Sequence, residues 1–284
     1  MLMLGVPAKL AGCSEIVVCS PPNASGLVAP AIAAAALQIG LERVYCLGGS
    51  QAIAAMTLGT ETVPQVDKLF GPGNSYVTAA KAFAQANFGR AIDLPAGPTE
   101  VLIVADGSVP ARFIAADLLA QAEHGADSDV VLACLDNAYA EAVRDEVQQQ
   151  PVLKRARSLV FEQIEFALEF ANEYAAEHLL LMCEEAERLS LLVKNAGSVF
   201  LGAYTPESLG DYASGTNHTL PTAGAARSYS GVSIASFQKQ ISFQRASYEG
   251  LQGIAPAVIA LAESETLKGH ADAVRIRLAG AEDV

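Results

Sequence analysis

Short β-branched runs alternate with longer segments of helical period along this chain. The alternation predicts an α/β fold built on mainly parallel sheet. Residues 15–19 (Glu-Ile-Val-Val-Cys) read as a strand stopped by Pro21 and Pro22. Leu27 to Ile39 reads as a helix closed by Gly40, and Arg43 to Leu47 as the next strand, ended by Gly48 and Gly49. Together they make one βαβ unit. A second set follows, with Glu100 to Ala105 as strand, Pro110 to Glu123 as helix, Asp129 to Leu135 as strand and Asn137 to Gln148 as an acidic helix. The pattern therefore predicts two tandem Rossmann-like wound parallel-sheet subdomains, residues 1–98 and 99–235, followed by a small helical C-terminal appendage, residues 236–284.

The pattern breaks near Gln149, Gln150 and Pro151, where Lys154, Arg155 and Arg157 cluster, as in a surface connection. From Gly202 to Ala226 the chain becomes rich in Gly, Thr, Ser, Pro and Asn and reads as one long ordered loop, a kind of segment that often carries function. In the helical tail, Glu263, Glu265 and His270 lie close together.

Composition narrows the classes of function. The 284 residues are 51% apolar, enough for one large or two ordinary domains with buried cores. With a net charge of −13 and only 18 Lys and Arg, most of the surface repels nucleic acid and anionic membranes. Cys13, Cys19, Cys46, Cys134 and Cys183 form no CxxC and read as reduced core thiols, which points to a reducing, cytoplasmic compartment. No run approaches the roughly 18 apolar residues of a membrane span, and the N-terminus has no secretory pattern.

The four histidines, at 124, 178, 218 and 270, all sit beside carboxylates, amides or glycines and not in an apolar stripe. That distribution favours a shared metal or acid/base site. Gln121 and His124 are three apart at the end of a predicted helix and share a face before Gly125. Together they can hold one ion, although a solvated helix end has the same spacing. Asp211 in the long loop and His270 would complete an N2O2 set suited to zinc, but no dense ligand motif such as HExxH fixes it. The adjacent Glu177 and His178 offer a carboxylate to activate water and an imidazole to accept substrate protons, although the dipeptide alone is common. The loop Gly71-Pro72-Gly73-Asn74 lies between a strand-like Val66 to Phe70 and a helix from Ser75 toward Phe88, so it reads either as a phosphate approach or as a plain tight turn. The full GxGxxG fingerprint of a dinucleotide site is absent.

In their order these blocks resemble the histidinol dehydrogenase family over essentially the whole chain. The matching stretches are Gly-Gly-Ser-Gln-Ala-Ile-Ala-Ala (48–55), Gly-Pro-Gly-Asn-Ser-Tyr-Val (71–77) with Lys81, and Ala-Gly-Pro-Thr-Glu-Val-Leu-Ile-Val-Ala-Asp (96–106). Further on come Ala-Asp-Leu-Leu-Ala-Gln-Ala-Glu-His (116–124), Asn-Glu-Tyr-Ala-Ala-Glu-His-Leu (172–179), Gly-Asp-Tyr-Ala-Ser-Gly-Thr-Asn-His-Thr-Leu-Pro-Thr (210–222) and Glu-Thr-Leu-Lys-Gly-His (265–270). The resemblance implies Gln121, His124, Asp211 and His270 as ligands of a zinc ion that also grips substrate. It implies Glu177 as the water-activating base and His178 as the general base. Thr99, His218 and Glu265 match substrate-binding positions, as Gln121, His124, His178, Asp211 and His270 also do, while Gln51 and Asn74 match contacts to NAD. The implied reaction takes L-histidinol through histidinaldehyde to L-histidine, in a homodimer whose C-terminal segment crosses to the partner.

Four departures accompany the match. Thr99 stands where the family has serine, Ala176 where it has proline, and the connection from Pro151 to Phe161 is shorter than in most relatives. The family's N-terminal portion, with a tyrosine- and glycine-containing segment that helps receive the cofactor, is not in this sequence. The first subdomain is thus expected to be incomplete, Met1 not to be the natural start, and turnover by this chain to be impaired or absent. Two alternatives stay open: a related zinc- and NAD-dependent dehydrogenase of another small alcohol, such as a sulfonated propanediol, and an inactive truncated metal-binding fragment.

Overall fold

The computed structural model describes residues 1–95, 97–125, 127–147 and 156–280, so Gln148, the break at Pro151 and the basic residues Lys154 and Arg155 lie outside the described residues. The chain forms two compact units, one from Met1 to Gln238 and one from Lys239 onward.

The first unit begins with α1 (Leu2–Leu10), β1 (Cys19–Ser20), α2 (Pro30–Gln38), β2 (Tyr45–Cys46), α3 (Gly49–Leu58), β3 (Lys68–Leu69), α4 (Ser75–Phe88) and β4 (Ala91–Ile92). β1 pairs with β2 and β3 with β4, both parallel. β1, β2 and β3 are shorter than the runs that predict them, and no run predicts β4. Val17, Cys19, Tyr45 and Leu47 still pack against the cluster around Ile53, Met56 and Leu69. Periodicity reports that burial, whereas a ladder also needs a partner backbone, and each of these strands has one. α2 starts three residues later than expected, because Asn23 Oδ1 accepts from the N–H groups of Ser25 and Leu27 and holds a turn there. Pro30 then opens the helix. α4 spans the expected residues and is capped by Asn74, whose Oδ1 accepts from Tyr76 N and Val77 N, both at 3.2 Å.

The larger sheet comprises β5 (Glu100–Ala105), β6 (Asp129–Cys134), β7 (Arg157–Val160), β8 (His178–Met182) and β9 (Ser198–Leu201), in the order β7-β6-β5-β8-β9 and parallel throughout. Helices α5 (Ala111–Ala122), α6 (Asn137–Val147), α7 (Ile164–Tyr174) and α8 (Ala186–Ser190) make the crossovers. Alternation along β5 divides the core. Val101, Ile103 and Ala105 pack with Ile114, Leu118 and Val143, while Leu102 and Val104 pack with Ala167, Leu168 and Leu189 on the other face. All six residues of β5 are buried, which explains its unbroken apolar run. Each large side chain so buried stabilises the fold by roughly 1.5–3 kcal/mol.

The expected long loop contains a helix, α9 (Glu207–Tyr212), and a 3-10 turn at Ala225–Arg227. Asp211 therefore stands on a helix and not in a loop, and six residues after Pro206 are too few to show a helical period. His124 also moves: α5 ends at Ala122, leaving His124 in the turn beyond it. Of the cysteines, all free, Cys134 and Cys183 are buried, but Cys46 is exposed on its short strand and is not a core thiol. The second unit is helical as expected, with α10 (Tyr248–Ser264) and α11 (Lys268–Ala279) packed on each other. Among the described residues no helix is long and apolar enough to cross a membrane.

Candidate active site

The candidate site lies at the amino ends of β5 and β8. Thr99 and Glu100 lead into β5, and Glu177 and His178 into its parallel neighbour β8. α5 runs back to the same end, where Asp129 N bonds Thr99 O at 3.1 Å, and so delivers Gln121 and His124. On α9, Glu207 and Asp211 are four residues apart and share a face. Thr99, His124, Glu177, His178, Asp211 and His218 line one cavity of about 290 Å³, together with Gly71 to Gly73 and Lys81. Ligands of open α/β sheets usually bind at the carboxyl ends of strands flanking the switch in strand order. Here the switch lies between β5 and β8, and the cavity is at the opposite end.

His178 is 4% exposed. Its Nδ1 lies 3.3 Å from Glu100 O, and 3.7 Å from both Glu177 Oε2 and Glu207 Oε1. Burial pulls its pKa down to about 4, so the ring is neutral at pH 7. A neutral ring that donates Nδ1–H to a carbonyl keeps the lone pair of Nε2 for an incoming proton. Glu177 is also buried, and Thr99 Oγ1 and Glu100 N donate to its Oε2 at 2.5 and 3.1 Å. Burial outweighs those bonds and pushes its pKa up to about 7. Adjacent residues on a strand normally face apart, and this pair works because Glu177 precedes the first residue of β8.

Opposite them, one nitrogen of His124 and one oxygen each of Glu207 and Asp211 lie within 4.8 Å of one another. His124 Nε2 is 3.9 Å from Asp211 Oδ2, and His218 Nδ1 is 3.5 Å from Asp211 Oδ1. Gln121 is fully buried, and its amide lies between Glu207 Oε2 and Glu100 N, each at 2.9 Å. A carboxylate only accepts and a peptide N–H only donates, so the amide nitrogen faces Glu207 and the oxygen faces Glu100. Glu207 is 2% exposed, and burial with Asp211, Glu177 and Asp117 nearby pushes its pKa up to about 8. Burial likewise raises Asp117 to about 6.

On the other side of the cavity, Lys81 fixes the glycine loop. Its Nζ donates to Gly71 O at 2.9 Å and to Asp93 Oδ1 at 2.6 Å, while Asp93 Oδ2 accepts from Gly71 N at 2.8 Å.

Comparison with known proteins gives concordant matches. The family model described as histidinol dehydrogenase matches residues 1–278. The histidinol dehydrogenase of Xanthomonas axonopodis pv. citri is 51% identical over 288 residues, 98% of this chain and 67% of that protein. The histidine biosynthesis trifunctional protein of Neurospora crassa is 49% identical over 292 residues, 98% of this chain and 34% of that protein. The crystal structure of histidinol dehydrogenase from Elizabethkingia anophelis superposes with a TM-score of 0.94 at 51% identity, over 99% of this chain and 67% of that one. The chain belongs to the histidinol dehydrogenase family. It is thus an oxidoreductase by kinship, and its α/β fold of parallel strands is that of its solved relative.

In this member of the histidinol dehydrogenase family, seven of the eleven residues singled out in the sequence meet around one cavity or in its wall: Thr99, Gln121, His124, Glu177, His178, Asp211 and His218. Asn74 stands beside it as the cap of α4, and Gln51 is exposed in the first turn of α3. Glu265 and His270 belong to the second unit, on either side of the turn between α10 and α11. Sequence reading missed Glu207 and the pair Lys81–Asp93. For Glu207 a signal was present: Glu and Asp four apart after Thr-Pro put two carboxylates on one helical face.

Proposed function

We propose that the chain oxidises L-histidinol to L-histidine through histidinaldehyde, the last step of histidine biosynthesis: R–CH2OH + 2 NAD⁺ + H2O → R–COO⁻ + 2 NADH + 3 H⁺. The observation that carries this reading is the meeting, in one cavity, of two buried proton acceptors, Glu177 and His178, with His124 and Asp211, whose donor cluster is completed by the buried Glu207. An imidazole, carboxylates and an amide are a donor set suited to zinc. Carboxyls crowded until burial and mutual repulsion keep them protonated are relieved by a divalent cation. Gln121, His124 and Asp211 would hold zinc, with His270 as fourth ligand. The loop at Gly71–Asn74, with Gln51, would meet NAD. When bound, zinc supplies a Lewis-acid grip on the substrate's imidazole and amino groups, and NAD supplies the hydride acceptor.

The chain's own residues do the rest. His178, with Nδ1–H directed at Glu100 O, takes the hydroxyl proton of the alcohol at Nε2 as hydride leaves the carbinol carbon. Glu177 takes a proton from the water that adds to the aldehyde while His178 returns its proton to the carbonyl oxygen, and the neutral His178 then accepts the hydrate's hydroxyl proton in the second oxidation. Thr99, His218 and Glu265 grip the substrate. The same reading makes the protein a cytoplasmic homodimer in which each copy's Glu265 and His270 serve the other copy's site.

The test is NADH formation by the zinc-loaded protein with L-histidinol, L-histidinaldehyde and 2,3-dihydroxypropane-1-sulfonate as separate substrates. Of the three, only the first two are expected to yield NADH, at the impaired rate expected of this chain, with Glu177→Gln impairing the aldehyde more than the alcohol. Oxidation of the sulfonate without histidinol, or no NADH from any of the three, would overturn the reading.

A further inference from the structure

We propose that Thr99 is a positioning residue for Glu177: its hydroxyl, together with Glu100 N–H, holds one carboxylate oxygen and leaves the other as the base. The inference rests on the reading of Glu177 as the water-activating group. It goes beyond a substrate-binding role for Thr99, because the hydroxyl already has two partners within the protein.

Thr99 Oγ1 lies 2.5 Å from Glu177 Oε2 and 2.6 Å from the Gln121 amide oxygen, so its one proton goes to Glu177 when that carboxyl is charged, and to Gln121 when Glu177 is protonated and itself donates to Thr99 Oγ1. The second donor to Glu177, Glu100 N, is shared between the Gln121 oxygen at 2.9 Å and Glu177 Oε2 at 3.1 Å. Among the described residues no donor is bonded to Oε1, so the oxygen that can take a proton from water is the one left out of the clamp. Both donors come from the stretch leading into β5, and the backbone there is fixed in the sheet, with Thr99 O accepting from Asp129 N at 3.1 Å. Glu177 is held from the neighbouring side, since its carbonyl accepts from Ser198 N at 2.9 Å. The carboxylate and its hydroxyl partner are thus each anchored to adjacent parallel strands.

The residue type suits the task. A β-branched side chain has fewer χ1 states than serine, so the threonine methyl narrows the positions its hydroxyl can take. A carboxylate with one oxygen fixed by two donors loses rotational freedom before substrate arrives, which is the benefit of a preorganised base. The carboxyls and imidazole facing Glu177 are Glu100 from β5, His178 from β8, and Glu207 and Asp211 from α9, and all but Asp211 are themselves buried. None of them donates to Oε2. The clamp therefore depends on Thr99 and the Glu100 N–H.

The experiment compares Thr99→Val, which removes the hydroxyl at nearly constant shape, with Thr99→Ser, which keeps it, in the zinc-loaded protein and with alcohol and aldehyde assayed separately. For Thr99→Val, kcat for aldehyde oxidation is expected to fall about ten- to a hundredfold, a part of the roughly hundred- to ten-thousandfold that a positioned base contributes. Alcohol oxidation should lose less than aldehyde oxidation, and Thr99→Ser should restore the aldehyde step to within about threefold. A second readout needs no turnover: the carboxyl stretch of protonated Glu177, identified by its loss in Glu177→Gln, should move to higher frequency in Thr99→Val as the hydrogen bond is lost. A rise in KM with unchanged kcat for the aldehyde, or an unmoved Glu177 band, would overturn the proposal. If Glu177→Gln spared the aldehyde step, the reading of Glu177 as base would fall, and the infrared comparison would still decide whether Thr99 holds its carboxyl.

Discussion

Lys81 and Asp93 form a 2.6 Å ion pair with both side chains almost wholly out of solvent, beneath the glycine loop of the cavity. Lys81 Nζ also reaches Gly71 O, and Asp93 also accepts from Gly71 N and Leu94 N, so one pair fixes both sides of the loop. Removing one partner of a buried pair leaves the other charge uncompensated. Lys81→Met is therefore expected to destabilise the protein by about 3–5 kcal/mol. A chemical denaturation midpoint indistinguishable from the parent's would show that the pair contributes little.

Zinc binding should separate the two histidines by what they report. His124 stands with Glu207 and Asp211 in the first unit, whereas His270 lies on α11 in the second. Under the proposed function both are ligands, and loss of one ligand of four lowers zinc affinity steeply. His124→Ala and His270→Ala should each fall well below one zinc per chain after dialysis. Full occupancy in His270→Ala would remove it from the ligand set and turn attention to Glu207, the third member of the cluster that the structure assembles.

Stability of the metal-free protein should depend on pH with a definite sign. Glu177 and Glu207 have pKa values raised from 4.5 to about 7 and about 8, and Asp117 from 3.8 to about 6. For a raised carboxyl the folded state binds the proton more tightly than the unfolded chain, so its contribution is complete below the unfolded pKa and is lost as pH rises through the folded one. His178, lowered from 6.5 to about 4, acts in the opposite sense, but only below 6.5. Between pH 6.5 and 8 the carboxyls alone are left, and denaturation midpoints should fall as pH rises. Saturating zinc should flatten that slope, and a midpoint rising over this window would contradict the protonated carboxyl cluster.

The sequence was most legible where burial on both faces or a clear cap wrote the pattern. β5 is apolar from Val101 to Ala105 because helices cover both of its sides, and α4 was bounded by Asn74 and Gly89. It was least legible where an element was short or lacked neighbours. β1 and β2 keep their apolar residues but pair over two positions each, and α9 is too short to announce itself among Gly, Ser and Thr. Of the candidate site, the polar context of the histidines and the pair Glu177–His178 were visible. Their convergence was not, because it depends on β8 lying beside β5 and on α5 returning to the amino end of the sheet. Glu207 escaped for a related reason: its significance is its burial against Gln121 and His178, which spacing alone does not report.

Gly197 makes the last prediction, because no side chain fits between it and the entry to β8. A Cβ built on Gly197 would come 2.6 Å from Glu177 O and 3.2 Å from Leu220 Cβ. The carbonyl cannot yield easily, since it accepts from Ser198 N at 2.9 Å while Gly197 N donates to Ala176 O at 2.9 Å, and both bonds set the register of β9 against β8. Leu220 is buried in the cavity wall two residues from His218. Gly197→Ala must therefore either part the two strands at their amino ends or push Glu177 and His178 out of line. Overpacking of this kind costs about 1–3 kcal/mol, a modest share of the stability of so large a unit. A displacement of the two bases of even about 1 Å, in contrast, can cost on the order of a hundredfold in rate. The variant should remain folded, with a small drop in denaturation midpoint, and lose most of its turnover of both alcohol and aldehyde. Near-normal rates in a folded Gly197→Ala protein would mean that the chain absorbs the methyl elsewhere, and that the contact with Glu177 O does not set the position of the bases.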